Sequence, residues 1–249
     1  MIMTVRITTL LVSLTALASI FLGGFGHDDL DLASRALRNR DPDMALRLTT
    51  RMLTFSALGD QPKEKLAHAH ALRAMAAHQR GQFEYARREL DTAIALRPDD
   101  PGLLYLRGEW HLDAGDCARA VKDYDHGLEV TPDLSLHARI ADHLARAARA
   151  HFCVNDHTGA SRLLERAFSM DGSNAEAFFT KSFMLEKAGD QNGALRAMER
   201  AWKLRASNQR DSFFFLTPKG DVWLHRLVVL QVANGIDPFS SIESHDLAK

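Results

Sequence analysis

The sequence is short of several things, and each shortage excludes something. Its 249 residues contain two cysteines, Cys117 and Cys153. They are not in a Cys-x-x-Cys arrangement, and no further cysteine can complete a thiolate zinc site. Two free, partly buried thiols are the default expectation. In an oxidising compartment the two could instead pair. Proline (7) and glycine (15) are few and sit at punctuation points, so the bulk of the chain is neither linker nor disordered tract. A surplus of charge is missing too. Lys and Arg total 31 against 32 for Asp and Glu, a formal net charge of −1. Nucleic-acid binding normally leaves a basic face, so no nucleic-acid partner is expected. No G-x-S-x-G, H-E-x-x-H or P-loop sequence occurs, so no catalytic residues and no cofactor are expected.

Histidine is the exception, with twelve copies. His70 and His78 are eight residues apart, two helical turns and too far for one ion, and His68 and His70 point to different faces. His143 and His151 are also eight apart. A metal site needs three or four converging ligands, so none is expected.

Long apolar runs are confined to the start. "MIMTVRITTLLVSLTALASIFLGGFG" has one charged side chain, Arg6, then an apolar stretch from Ile7 to Phe25 with small residues at Ala16, Ala18 and Gly23. This pattern is that of a secretory signal peptide over residues 1–26. The run is also just long enough to stay as a membrane anchor. Either way the folded part is expected outside the cytoplasm, in the periplasm or tethered facing it. Arginine outnumbers lysine 23 to 8, a bias of GC-rich bacterial genomes.

The rest of the chain is periodic. "AGDCARAVKDYDHGLEVTPD", from Ala114 to Asp133, slides back thirty-four residues onto "RGQFEYARRELDTAIALRPDD". Gly115 falls on Gly81, Ala120 on Ala86, Tyr124 on Leu90, Gly127 on Ala93 and Pro132 on Pro98. "VNDHTGASRLLERAFSMDGSN" and "AGDQNGALRAMERAWKLRASN" repeat the phase, with Asn155 and Gly189 at the turn. A fixed period of this length outranks any single motif. Each recurring position has a physical reason. Gly81, Gly115, Gly189 and Asn155 supply a left-handed residue that ends a helix. Ala86, Ala120, Ala160 and Ala194 let the second helix press on the first, against Ala74, Gly108, Ala148 and Ser182. Ala93, Gly127, Ala167 and Ala201 admit the next unit. Pro98 and Pro132 stop the second helix, and Asp100 caps the next one ahead of Pro101.

These features resemble the tetratricopeptide repeat, a helix–turn–helix unit of the same period. The resemblance covers residues 67–100, 101–134, 141–174 and 175–208. It implies an all-α fold: a right-handed superhelical solenoid of helical hairpins. Departures exist. Where the family has an apolar residue just before the small residue of the first helix, this chain has Arg73, Arg107, Ala147 and Lys181. The closing proline is replaced by Gly172 and Ala206, so those helix ends should be looser. Six extra residues, Ser135 to Ile140, break the phase and are expected to lengthen the third copy's first helix at its start. Residues 27–66 fit a degenerate earlier unit and connector, with Ala33, Arg40 and Ala45 in the small, turn and packing places. Residues 209–235 are expected to give a capping helix from about Asp221 to Asn234, and 236–249 a flexible tail.

The resemblance also implies recognition. In such repeats the first helices line a concave groove that takes a peptide or helix of a partner protein. By phase the candidate groove residues are His68, Ala71, Met75 and His78; Tyr105, Glu109 and Leu112; Asp142, Arg149 and Phe152; and Phe179, Phe183 and Glu186. Tyr105, Phe179 and Phe183 are the candidate anchors and Arg149 the charge reader, although the phenylalanines could equally pack on neighbouring helices. The carboxylate-gripping Lys and Asn of chaperone-binding relatives are absent. The leading expectation is an exported, non-enzymatic protein-binding scaffold at the bacterial envelope. A homodimer through the apolar C-terminal helix is the alternative, and a metal- or small-molecule-handling enzyme a third.

Overall fold

Four tight turns set the architecture. Gly81, Gly115, Asn155 and Gly189 take φ of +74°, +79°, +65° and +88°. At each, the amide three residues past the helix end reaches back five residues: Gln82 to Ala77, Asp116 to His111, Asp156 to His151 and Asp190 to Leu185, at 2.8–3.0 Å. This double closure satisfies the last carbonyls of one helix and redirects the chain into the next. The carboxylate that follows each of the last three turns then caps the next helix. Asp116 accepts from the Arg119 amide, Asp156 from Gly159 and Asp190 from Gly193.

The computed structural model describes residues 29–56, 61–131, 133, 139–208 and 222–236. Among them every regular element is helical. The expected signal or anchor segment, the tail beyond Ile236, Pro132 and most of the phase-breaking insertion lie outside the described residues. The chain divides into two compact units, Met1–Pro98 and Asp99–Lys249.

The first unit contains α1 (29–38), α2 (Pro42–Ser56), α3 (Lys63–Gln79) and α4 (Phe83–Leu96). Arg40, between α1 and α2, takes φ +58°. Ala33 and Ala45 are fully buried, and Arg51 of α2 is ion-paired with Asp29 of α1. α3 packs on both α2 and α4. Its alanine face (Ala67, Ala71, Ala74, Ala77) is buried and brings the axes close.

The second unit contains α5 (Pro101–Asp113), α6 (Cys117–Val130), α7 (Ile140–Cys153), α8 (His157–Met170), α9 (Ala175–Lys187), α10 (Gln191–Asn208) and α11 (Val222–Ala233). Each hairpin packs within itself, α7 also packs on α6 and α9, and α11 packs on α10. Ala120, Ala148, Ala160, Ser182 and Ala194 are all fully buried where the helices cross. α10 runs 18 residues where α4, α6 and α8 each run 14. Ala206 carries the backbone amide that proline lacks, so the helix continues instead of loosening. α8, with Gly172, ends at Met170 because Asn174 already caps α9 through the Ala177 amide. α7 is described from Ile140, so its expected extension falls mostly on residues that are not described.

The default expectation for the cysteines is overturned. Cys117 and Cys153 form a disulfide between the start of α6 and the end of α7, with Cα atoms 6.0 Å apart. Thirty-six residues separate them in sequence, and only the stacking of these two helices brings them together.

Candidate partner-binding face

The candidate residues lie on the first helix of each hairpin: α3 in the first unit, and α5, α7 and α9 in the second. On α3, His68 is exposed and Met75 half-buried. His78 meets Phe83 edge-on at 5.1 Å, and burial lowers its pKa.

Tyr105 is not available as an anchor. It is 1 % exposed, stacked against His143 at 4.1 Å and Tyr124 at 6.3 Å, and its hydroxyl is hydrogen-bonded to Thr131 Oγ1 at 2.8 Å. The reason lies opposite. A Cβ built on Gly127 would stand 2.6 Å from Tyr105 Cε1. The other copies have alanine at that place, so the missing methyl is the space the ring occupies. Gly127 and Tyr105 form one packing unit, and the ring turns inward.

The charges are already engaged. Glu109 of α5 meets Arg146 Nη1 of α7 at 2.5 Å. Arg146 Nε also lies 3.5 Å from Glu176 of α9, and Arg149 Nη1 lies 3.3 Å from the same oxygen. Two arginines and two glutamates thus alternate across three consecutive first helices. Burial pushes the Glu109 carboxyl above the usual carboxylate range, and Arg146 only partly opposes it. Burial works against the Arg146 charge as well, but Glu109 and Glu176 outweigh it and hold the guanidinium protonated. Such an array is costly to break, because removing one member leaves its neighbours charged in a poorly solvated place. Arg149, expected to read a partner's charge, is spent on Glu176. Arg146, which carries the centre of the array, is one turn away on the same helix. Its signal in the sequence is an arginine set among buried alanines, "LARAARA", where the repeat demands small residues.

The two phenylalanines hold the chain's own C-terminal helix. Phe179 stacks on Trp223 of α11 with planes 8° apart and centroids at 4.7 Å. Arg149 lies over Phe179 at 5.1 Å, and Arg205 over Trp223 at 5.3 Å. Each ring of the pair thus has a guanidinium facing its quadrupole. Phe183 has Arg226 of α11 over it at 5.2 Å, and Arg226 pairs with Glu186 at 2.5 Å. α11 thus sits on the face of α9 expected to take a partner.

A strip of half-buried side chains runs along these first helices. The ninth and twelfth places of the copies 101–134, 141–174 and 175–208 are Glu109 and Leu112, Arg149 and Phe152, and Phe183 and Glu186, all half-buried. Phe152 meets Phe183 edge-on at 5.9 Å, joining α7 to α9. Among the described residues no group of three or more His, Cys, Asp or Glu is arranged to hold a metal ion, and no helix is long and apolar enough to cross a membrane.

No protein-family model and no curated protein sequence matches the chain. Solved structures do match. MamA 41-end from Desulfovibrio magneticus RS-1 superposes with a TM-score of 0.57 at 16 % identity, covering 77 % of this chain and 99 % of that one. Another MamA crystal structure gives 0.54 at 14 % identity, over 79 % and 100 %. The nearly identical TPR-like repeats of a kinesin light chain from Podosopora anserina give 0.57 at 16 %, over 74 % and 96 %. At these identities the likeness speaks for the fold alone. The hairpin period, the four left-handed turns and these superpositions agree: the chain has an all-helical, tetratricopeptide-type fold.

Proposed function

We propose that the chain is a non-enzymatic scaffold that binds a peptide or helix of a partner protein along the first helices of its second unit. The observation that carries this is the strip at the ninth and twelfth places, where Leu112, Phe152 and Phe183 stand half-exposed beside Glu109, Arg149 and Glu186. An apolar strip edged with paired charge suits a partner that buries side chains and satisfies its polar groups at the rim. The charges are preorganised by their mutual pairing, so a partner need not order them. We further infer an exported protein acting at the bacterial envelope. The Cys117–Cys153 bond supports it, because such bonds persist in oxidising compartments, and so does the apolar start of the sequence.

The test is Leu112→Asp combined with Phe152→Asp. Partners captured from native membranes by the wild-type chain, identified by mass spectrometry, should be lost with the variant while its thermal midpoint stays within a few degrees. Retention of the same partners by a folded variant would remove the strip from the interface.

A further inference from the structure

The inner side of α11 is accounted for by Trp223, Leu227, Leu230 and Gln231, which are buried. Its outer side carries apolar side chains. Val222, Val229 and Val232 are 51 %, 45 % and 60 % exposed, and His225 is exposed among them. An outward helix face is normally lined with charged side chains. Here the 12-residue helix carries one, Arg226, and it is held by Glu186 and Phe183. The steps 222, 225, 229, 232 alternate three and four. That is the seam spacing of a helix lying along another helix.

We propose that this face is an isologous interface, with α11 packing antiparallel on α11 of a second copy. The inference stands apart from the partner-binding strip, which lies on other helices. Two features favour a second copy over a foreign chain. A two-fold contact sets a patch against itself, so any net charge would repel, and this face has none. The stripe is also symmetric about its middle. An axis near Leu227 places Val222 against the partner's Val232 and His225 against the partner's Val229. Parallel pairing would instead stack His225 on the partner's His225. Four side chains on a 12-residue helix offer well below one partner's share of a standard interface, so the dimer is weak and reversible.

Sedimentation of the full chain from about 1 to about 200 μM, a range that brackets micromolar affinity, tests this. The wild type should shift from monomer to dimer. Val229→Glu with Val232→Glu should stay monomeric at every concentration, with unchanged helical circular dichroism because both side chains are exposed. Val222→Lys with Val232→Glu should still dimerise, since antiparallel pairing sets Lys against Glu at both ends. Val222→Glu with Val232→Glu should not. A wild type that stays monomeric, or a dimer that survives Val229→Glu with Val232→Glu, overturns the interface. Loss of the dimer in the Lys/Glu variant overturns the antiparallel arrangement. Partner capture is lost or kept through Leu112 and Phe152 whatever α11 does, so the two readings fail separately.

Discussion

Arg107 of α5 grips Asp123 of α6 with two bonds, its Nε donating at 2.9 Å and its Nη2 at 2.7 Å. Asp123 is 6 % exposed. The copy before does the same with Arg73, whose Nε donates to Glu89 at 2.7 Å. In the third copy the two places hold Ala147 and Leu163 instead, both buried. An apolar contact and an ion pair are thus alternative solutions to one gap between paired helices.

Arg107→Ala alone should therefore destabilise the chain by about 3 kcal/mol, because Asp123 is left buried without its counter-charge. Arg107→Ala with Asp123→Leu, which imports the third copy's solution, should recover most of that loss. Urea unfolding of the two variants against wild type measures both.

Reduction of Cys117–Cys153, or Cys117→Ser with Cys153→Ser, should cost stability. A closed loop of 36 residues corresponds to about 4 kcal/mol of lost constraint on the unfolded chain. Thermal midpoints with and without dithiothreitol check it, and the double serine variant should be indifferent to the reductant.

His151 lies between two carboxylates, Nδ1 2.8 Å from Asp156 and Nε2 3.0 Å from Asp125. Burial disfavours its charge, but the two hydrogen bonds and the two negative charges outweigh it and raise its pKa above 6.5. Both ring nitrogens can donate only as imidazolium. The folded value exceeds the unfolded one, so the stabilisation is complete below about 6.5 and fades as pH climbs through the folded value. Both carboxylates are half-exposed, which keeps the effect below about 1 kcal/mol. The stability difference between wild type and His151→Gln, followed from about pH 5 to about pH 9, should shrink toward alkaline pH. A constant difference would place its origin in packing.

Trp223→Ala removes one ring of the Phe179–Trp223 stack. The loss should be about 3–4 kcal/mol if α11 unfolds with the rest of its unit. On heating the wild type, the near-ultraviolet circular dichroism of the Phe179–Trp223 stack and the far-ultraviolet helical signal should then be lost together.

The turns are legible from sequence because only a residue tolerant of positive φ can close a helix and redirect the chain within three positions. Arg40, at φ +58°, is the exception: its residue type does not announce a turn, and only its place in the repeat does. The small residues at the crossings are legible for a similar reason: axis separation leaves no choice of side chain. The face that meets a partner is another matter. Tyr105 shares a repeat position with groove residues, yet Gly127, twenty-two residues on, draws it inward. A one-methyl difference in the opposing helix decides the direction, and it shows only when the two positions are read as a pair. The same holds for Arg107 and Asp123, sixteen residues apart. Phe179 and Phe183 carry the periodicity of groove residues, but Trp223 and Arg226, outside the repeat, claim them. The disulfide needs the stacking of α6 on α7, which no spacing in the chain expresses.

The Cys117–Cys153 bond has a mechanical meaning. A stack of hairpins under tension gives way one hairpin at a time, because each is held mainly by its neighbours. Pulled from its two ends, the second unit could release α9, α10 and α11 freely. The 36 residue steps from Cys117 to Cys153 could not extend at all, and roughly 130 Å of contour length, at about 3.6 Å per step, stays locked. The covalent stitch spans the six extra residues of the sequence that break the repeat phase inside this unit, so the array would be protected from tearing there.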